Sequence, residues 1–176
     1  FPTCKRGLGA ILRGLKPGEA VAIGQAVFDA GIEAIEVPLN SPDPFVSIAS
    51  LVEALPKALV GAGTVLTAAD VDGLHKAGGR LLVSPNIDAE VMGRAGTYNM
   101  VTMPGVFTPT EAFLAIRLGA SALKFFPASV LGAGGIAAVR AVLPADVLIG
   151  AVGGVSEKDF AGYKSAGVSA FGLGSS

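Results

Sequence analysis

The chain has one cysteine, one histidine and only 15% charged residues among its 176. Cys4 alone excludes an internal disulfide and fits a reducing, cytoplasmic compartment; a lone thiol near a terminus is more often inert than catalytic. His75 falls on a predicted surface helix with no other histidine or cysteine at ligand spacing, so no zinc or other metal site is expected. Basic residues are few, scattered and not interleaved with aromatics, and the net charge is −1, which argues against nucleic acid or an anionic membrane as partner. Lys5, Arg6, Arg13 and Lys16 interrupt the first residues, so no signal peptide is expected there, and no apolar run is long enough to span a bilayer. The sequence opens on Phe1 without methionine, from which some N-terminal residues are expected to precede it. The turn after the first apolar run, Arg13-Gly14-Leu15-Lys16-Pro17-Gly18, lacks the G-x-G-x-x-G order, and no P-loop pattern occurs.

What is present is apolar and rich in glycine, with 25 glycines, as in a single folded domain over 1–176 that acts on a small metabolite. Short apolar runs at 9–13, 34–37, 58–61, 80–84, 100–103, 122–126, 147–151 and 170–173 alternate with helical patterns at 18–30, 44–55, 68–77, 89–95, 109–118, 135–142 and 158–165. Each unit takes about 22 residues, the length of a short strand, a helix and two tight loops. Gly31, Gly78, Gly119 and Gly167 follow helices as C-terminal caps. Eight such units close most readily into a (β/α)8 TIM barrel, with a doubly wound open sheet as the competing arrangement. Because the given sequence stops at Ser176, where an eighth helix would begin, the final helix is expected to be missing from it.

In such a barrel, chemistry gathers at the C-terminal ends of strands. Lys124 stands in the apolar run Ala122-Leu123-Lys124-Phe125-Phe126, where an ammonium meets little water. A strand-end lysine could instead lay its stem on apolar surface and send its head out to solvent. Alternation with period 2 turns Lys124 and Glu36 toward the barrel axis if Leu123 and Ile35 face the helices. A lysine of ordinary pKa is only about 0.04% free amine at pH 7, so a nucleophilic amine needs the depressed pKa that a dry interior provides. Arg13 ends the first strand region, Thr64 follows the glycine-rich turn Gly61-Ala62-Gly63, and Gly153 and Gly154 precede a helix capped by Ser156 with Asp159 three residues on. Backbone N–H groups of that loop, together with those of Gly174 and Ser175, make an anion cradle of the kind that holds phosphate in many barrels. Taken singly, each of these residues also has a reading as a turn former, a surface cation or a cap.

The runs Ala10-Ile11-Leu12-Arg13-Gly14, Ile35-Glu36-Val37-Pro38-Leu39-Asn40-Ser41-Pro42, Gly61-Ala62-Gly63-Thr64-Val65, Ser84-Pro85-Asn86, Leu123-Lys124-Phe125-Phe126-Pro127 and Ala151-Val152-Gly153-Gly154-Val155 resemble the 2-keto-3-deoxy-6-phosphogluconate and -galactonate aldolases. The resemblance spans about residue 8 to 176. It implies a class I aldolase that needs no cofactor or metal, acts on a phosphorylated keto-acid and assembles as a homotrimer. It also implies that Lys124 forms the Schiff base, Glu36 moves protons, Arg13 and Thr64 hold the carboxylate, and Gly153, Gly154, Gly174 and Ser175 bind phosphate. Asn40 stands where the gluconate branch has an arginine, which points to the galactonate branch; Cys4-Lys5-Arg6-Gly7 departs from the family pattern. Two alternatives are a phosphate-binding barrel without turnover and an isomerase that uses Glu36 as base and Lys124 as electrostatic stabiliser.

Overall fold

A computed structural model describes residues 4–174. Strands β1 (Leu8–Ile11), β2 (Ala34–Pro38), β3 (Leu59–Gly63), β4 (Leu81–Val83), β5 (Val101–Met103), β6 (Gly105–Val106), β7 (Leu123–Phe125), β8 (Ile149–Val152) and β9 (Ala170–Gly174) form one sheet. Its order is β5-β4-β3-β2-β1-β9-β8-β7-β6, and the registered pairings are all parallel. The two end segments, β5 and β6, are one run of chain broken at Pro104. Proline has no N–H to give the ladder, so the strand is interrupted there, and its two halves serve different neighbours. The Pro104 carbonyl still accepts from the Lys124 N–H at 3.0 Å. The barrel predicted from eight apolar runs is therefore nearly closed and shows nine segments, because the fifth run at 100–103 is followed past Pro104 by a short strand that was not expected.

Helices α1 (Pro17–Asp29), α2 (Pro44–Ala54), α3 (Ala68–Lys76), α4 (Ala89–Thr97), α5 (Pro109–Arg117), α6 (Ala128–Arg140) and α7 (Phe160–Ser165) alternate with the strands. Their starts are written locally. Pro17, Pro44 and Pro109 occupy first-turn positions where a missing N–H costs nothing. Thr67 accepts from the Asp70 N–H at 3.1 Å while the Asp70 carboxylate accepts from the Thr67 N–H at 2.9 Å, and Thr108 and Glu111 repeat the pattern. Asp159 accepts from both the N–H and the hydroxyl of Ser156, 2.9 and 2.8 Å away, ahead of a single 3-10 turn that leads into α7. Gly31, Gly78, Gly119 and Gly167 all end helices at positive φ, which a residue with a Cβ adopts only at a cost.

Helix α6 differs from the sequence expectation of 135–142. It starts at Ala128, directly after Pro127, and breaks at Gly132, whose φ of 70° and ψ of 167° are not helical. The glycines at 132, 134 and 135 hid the first turn. In the structure only Gly132 leaves the helix.

The outward faces of the strands feed two apolar layers. Ile35, Val37, Val60 and Leu82 pack with Ile48, Leu51, Val71, Leu74 and Val91 of α2–α4, and Leu123, Phe125, Ile149 and Phe171 pack with Ala112, Ile136, Val139 and Tyr163 of α5–α7. Ala34, Leu81, Val83, Met103 and Ala122 make a third, smaller cluster. This division follows the period-2 alternation and leaves Glu36 and Lys124 on the side away from the helices.

Candidate active site

A cleft of about 220 Å3 opens between the C-terminal ends of the strands. Arg13, Glu36, Thr64, Lys124, Gly153, Gly154 and Gly174 all line it, each brought from a different strand end except the two consecutive glycines. Ser175, the remaining expected site residue, lies outside the described residues.

Glu36 and Lys124 are each 7% exposed. Below Glu36 the interior narrows to an apolar cavity of about 20 Å3, flanked by Ala34, Leu81, Val83 and Met103. That is room for about one water, too little to solvate a carboxylate. Burial accordingly pushes Glu36 from an ordinary 4.5 up to about 7, against the opposing pull of Lys124 and Arg13. Burial also lowers the Lys124 amine; Glu36 raises it and Arg13 lowers it further. Their N and O atoms stay beyond 4 Å, since the one ion pair within that distance among the described residues is Arg94–Asp72 on the outer helices. The two groups therefore influence each other across the cleft while each keeps a face free for a substrate.

Gly63 makes room for this carboxylate. A Cβ there would coincide with Glu36 Oε2 and stand 2.5 Å from its Cδ, so glycine is required by close approach. The next residue, Thr64, has φ 57°, the left-handed region that β-branched side chains avoid. Such strain, of order 1–2 kcal/mol, persists where the surroundings dictate it and gathers at functional sites. Arg13 is exposed, two residues beyond β1, and its Nη1 donates to Asn40 Oδ1 at 2.7 Å. Asn40 thus orients the guanidinium at the rim.

Gly153 and Gly154 follow β8 with φ of 92° and 66°. Two consecutive residues at positive φ make a tight turn that glycine enters at little cost, and it sets this stretch of backbone against the cleft. The Gly153 carbonyl is tied to the first turn of α6 by the Ser129 N–H at 3.1 Å. Phe126, Pro85 and Val152 also line the cleft and were not singled out from sequence. Alternation contained the signal for Phe126, two residues beyond Lys124 on the same strand face, but its aromatic character was absorbed into the apolar run. Among the described residues, no group of three or more His, Cys, Asp or Glu is placed to hold a metal ion, and no helix is long and apolar enough to cross a membrane.

An inward lysine of depressed pKa, a carboxyl raised to about 7 and a glycine turn at one barrel mouth are the parts of a carbonyl-condensing site. Residues 8–176 match the KDPG and KHG aldolase family, and the chain belongs to that family. It is 60% identical, over its full length and 84% of the relative's, to a probable 2-dehydro-3-deoxy-6-phosphogalactonate aldolase of Rhizobium meliloti (strain 1021). It is 51% identical to the 2-dehydro-3-deoxy-6-phosphogalactonate aldolase of Escherichia coli (strain K12), over 94% of this chain and 82% of that one. Among solved structures, native KDPGal superposes with a TM-score of 0.96 at 50% identity, covering 98% of this chain and 84% of its own.

Proposed function

We propose that the protein is a class I aldolase that cleaves 2-dehydro-3-deoxy-6-phosphogalactonate to pyruvate and D-glyceraldehyde 3-phosphate. The observation that carries this is the placement of Lys124 and Glu36, both buried, in one cleft with the Gly153-Gly154 turn.

In the proposed mechanism the neutral Lys124 amine attacks the C2 ketone and forms a carbinolamine. Glu36, with a pKa of about 7, is present in both protonation states near neutrality. It protonates the carbinolamine hydroxyl, water leaves, and an iminium remains. The resulting carboxylate takes the proton of the C4 hydroxyl. As the C4 carbonyl forms, the C3–C4 bond breaks and its electron pair moves into the iminium, giving an enamine. D-Glyceraldehyde 3-phosphate departs, Glu36 returns its proton to C3, and water releases pyruvate from the lysine. Arg13 and the Thr64 hydroxyl hold the substrate carboxylate, and N–H groups of Gly153, Gly154, Gly174 and Ser175 receive the phosphate.

The galactonate assignment is supported by the Arg13–Asn40 pair and by the names of the two relatives. It is tested by kcat/KM on the two C4-epimeric substrates. Preference for the galacto epimer is expected; equal or greater efficiency on the gluco epimer would overturn the assignment. The assembly is proposed to be a homotrimer in the cytoplasm, with exposed apolar side chains such as Val46 and Leu66 available for burial between copies. A three-chain mass by light scattering is expected, and a stable monomer at micromolar concentration would contradict it.

A further inference from the structure

We propose that Phe126 is a further catalytic residue, whose ring face holds the positive nitrogen that Lys124 carries as an ammonium before reaction and as an iminium during it. The proposal rests on the reading of Lys124 as the Schiff-base lysine. Lys124 Nζ lies 4.7 Å from the centroid of the Phe126 ring, inside the range in which a cation is drawn to an aromatic face. The ring is held in place from behind. Phe126 donates its N–H to the Val106 carbonyl at 3.2 Å, and its Cδ2 and Cε2 lie 3.0 and 3.1 Å from where a Cβ on Gly153 would stand. It therefore packs beside Gly153 with one part and faces the amine with another, inside the same cleft.

The chemistry gives this placement a purpose. Counted from the resting ammonium, which gives up one proton before the amine attacks, two protons leave with the ketone oxygen as water, and the product iminium keeps one positive charge at nearly the same point. A stabiliser of that charge must persist throughout the cycle. Glu36, on β2, cannot do so alone, because it is neutral whenever it holds the proton that it donates. Arg13, after β1, is the other charged group that acts on Lys124, and its sign is wrong. The negative face of an aromatic ring takes up no proton, so it supports the cation in both states of Glu36.

The test replaces Phe126 by 4-fluoro- and 3,4,5-trifluorophenylalanine, which keep the ring's shape while depleting its negative face, alongside Phe126→Tyr and Phe126→Leu. The readouts are the 13C resonance of the Lys124 Cε through a pH titration and the pH dependence of pyruvate adduct trapped by borohydride. Because the ring favours the ammonium, its weakening lowers the amine pKa. The midpoint is expected to fall stepwise with fluorine and by about 0.5–1 unit in the trifluoro and Leu proteins, with Tyr close to wild type. At a pH above the wild-type midpoint, trapped iminium is expected to fall about 3–10-fold in the same order. A midpoint unmoved by trifluorination, or a Tyr protein shifted as far as Leu, would overturn the role of Phe126. Absence of any adduct on Lys124 in the wild type would instead overturn the Schiff-base reading, and the proposal with it.

Discussion

Gly63 offers a sharp test of how the site is built, because the atoms nearest to an added side chain there are those of the Glu36 carboxylate. Its φ is not in the left-handed region, so the backbone itself accepts alanine. The added Cβ would stand 2.5 Å from Glu36 Cδ and 3.2 Å from Oε1, and on top of Oε2. Restoring van der Waals separation requires the overlapping carboxylate oxygen to retreat by roughly 2 Å. A misplacement of even about 1 Å can cost 10²-fold in rate, and complete loss of a positioned acid or base costs about 10²–10⁴-fold. Gly63→Ala is thus expected to lower kcat at least about 100-fold, near 2.7 kcal/mol of transition-state stabilisation, measured as steady-state pyruvate release. The control is Gly93→Ala in α4, where a Cβ meets nothing within 4 Å. That variant is expected to keep full activity and to gain up to about 1 kcal/mol in stability from helix propensity. If Gly63→Ala stayed within about threefold of wild type, the close packing of Glu36 against β3 would not be what positions the proton-transfer group.

Two further outcomes follow from the same residues. Glu36 titrates at about 7 when folded and near 4.5 when unfolded, so the folded chain holds a proton that the unfolded chain releases, and its contribution to stability is lost as pH rises between those values. Glu36→Gln should therefore gain on wild type across that window, by up to about 3 kcal/mol above pH 7, in urea denaturation at pH 5 and pH 8; an advantage that does not change with pH would contradict this. Thr64→Gly removes left-handed strain and the hydroxyl together, so it should match or exceed wild-type stability by up to about 1 kcal/mol while kcat/KM falls; a clear loss of stability would show that packing of the Thr64 side chain outweighs its backbone strain.

Most of the fold was legible because barrel units are local. The apolar runs, the Ser156–Asp159 capping pair and the glycines ending helices need only neighbours in sequence, and they fell where expected. Alternation also turned Glu36 and Lys124 inward, since each follows a residue that packs under the helices. What escaped depends on contacts across the barrel or on single backbone angles. The split at Pro104 arises because β5 and β6 pair with opposite neighbours. The first turn of α6 was masked by glycines of which only one departs from the helix. Phe126 reads as one more apolar strand residue until the position of Lys124 Nζ over its ring is known.

The most direct test of the account is borohydride reduction in the presence of pyruvate, followed by peptide mass mapping. The adduct is expected on the peptide that contains Lys124 and on no other, because Lys5, Lys16, Lys57, Lys76, Lys158 and Lys164 are all exposed and none of them lines the cleft. Lys124→Ala should abolish both the adduct and cleavage. An adduct on any other lysine, or full activity in Lys124→Ala, would contradict the mechanism.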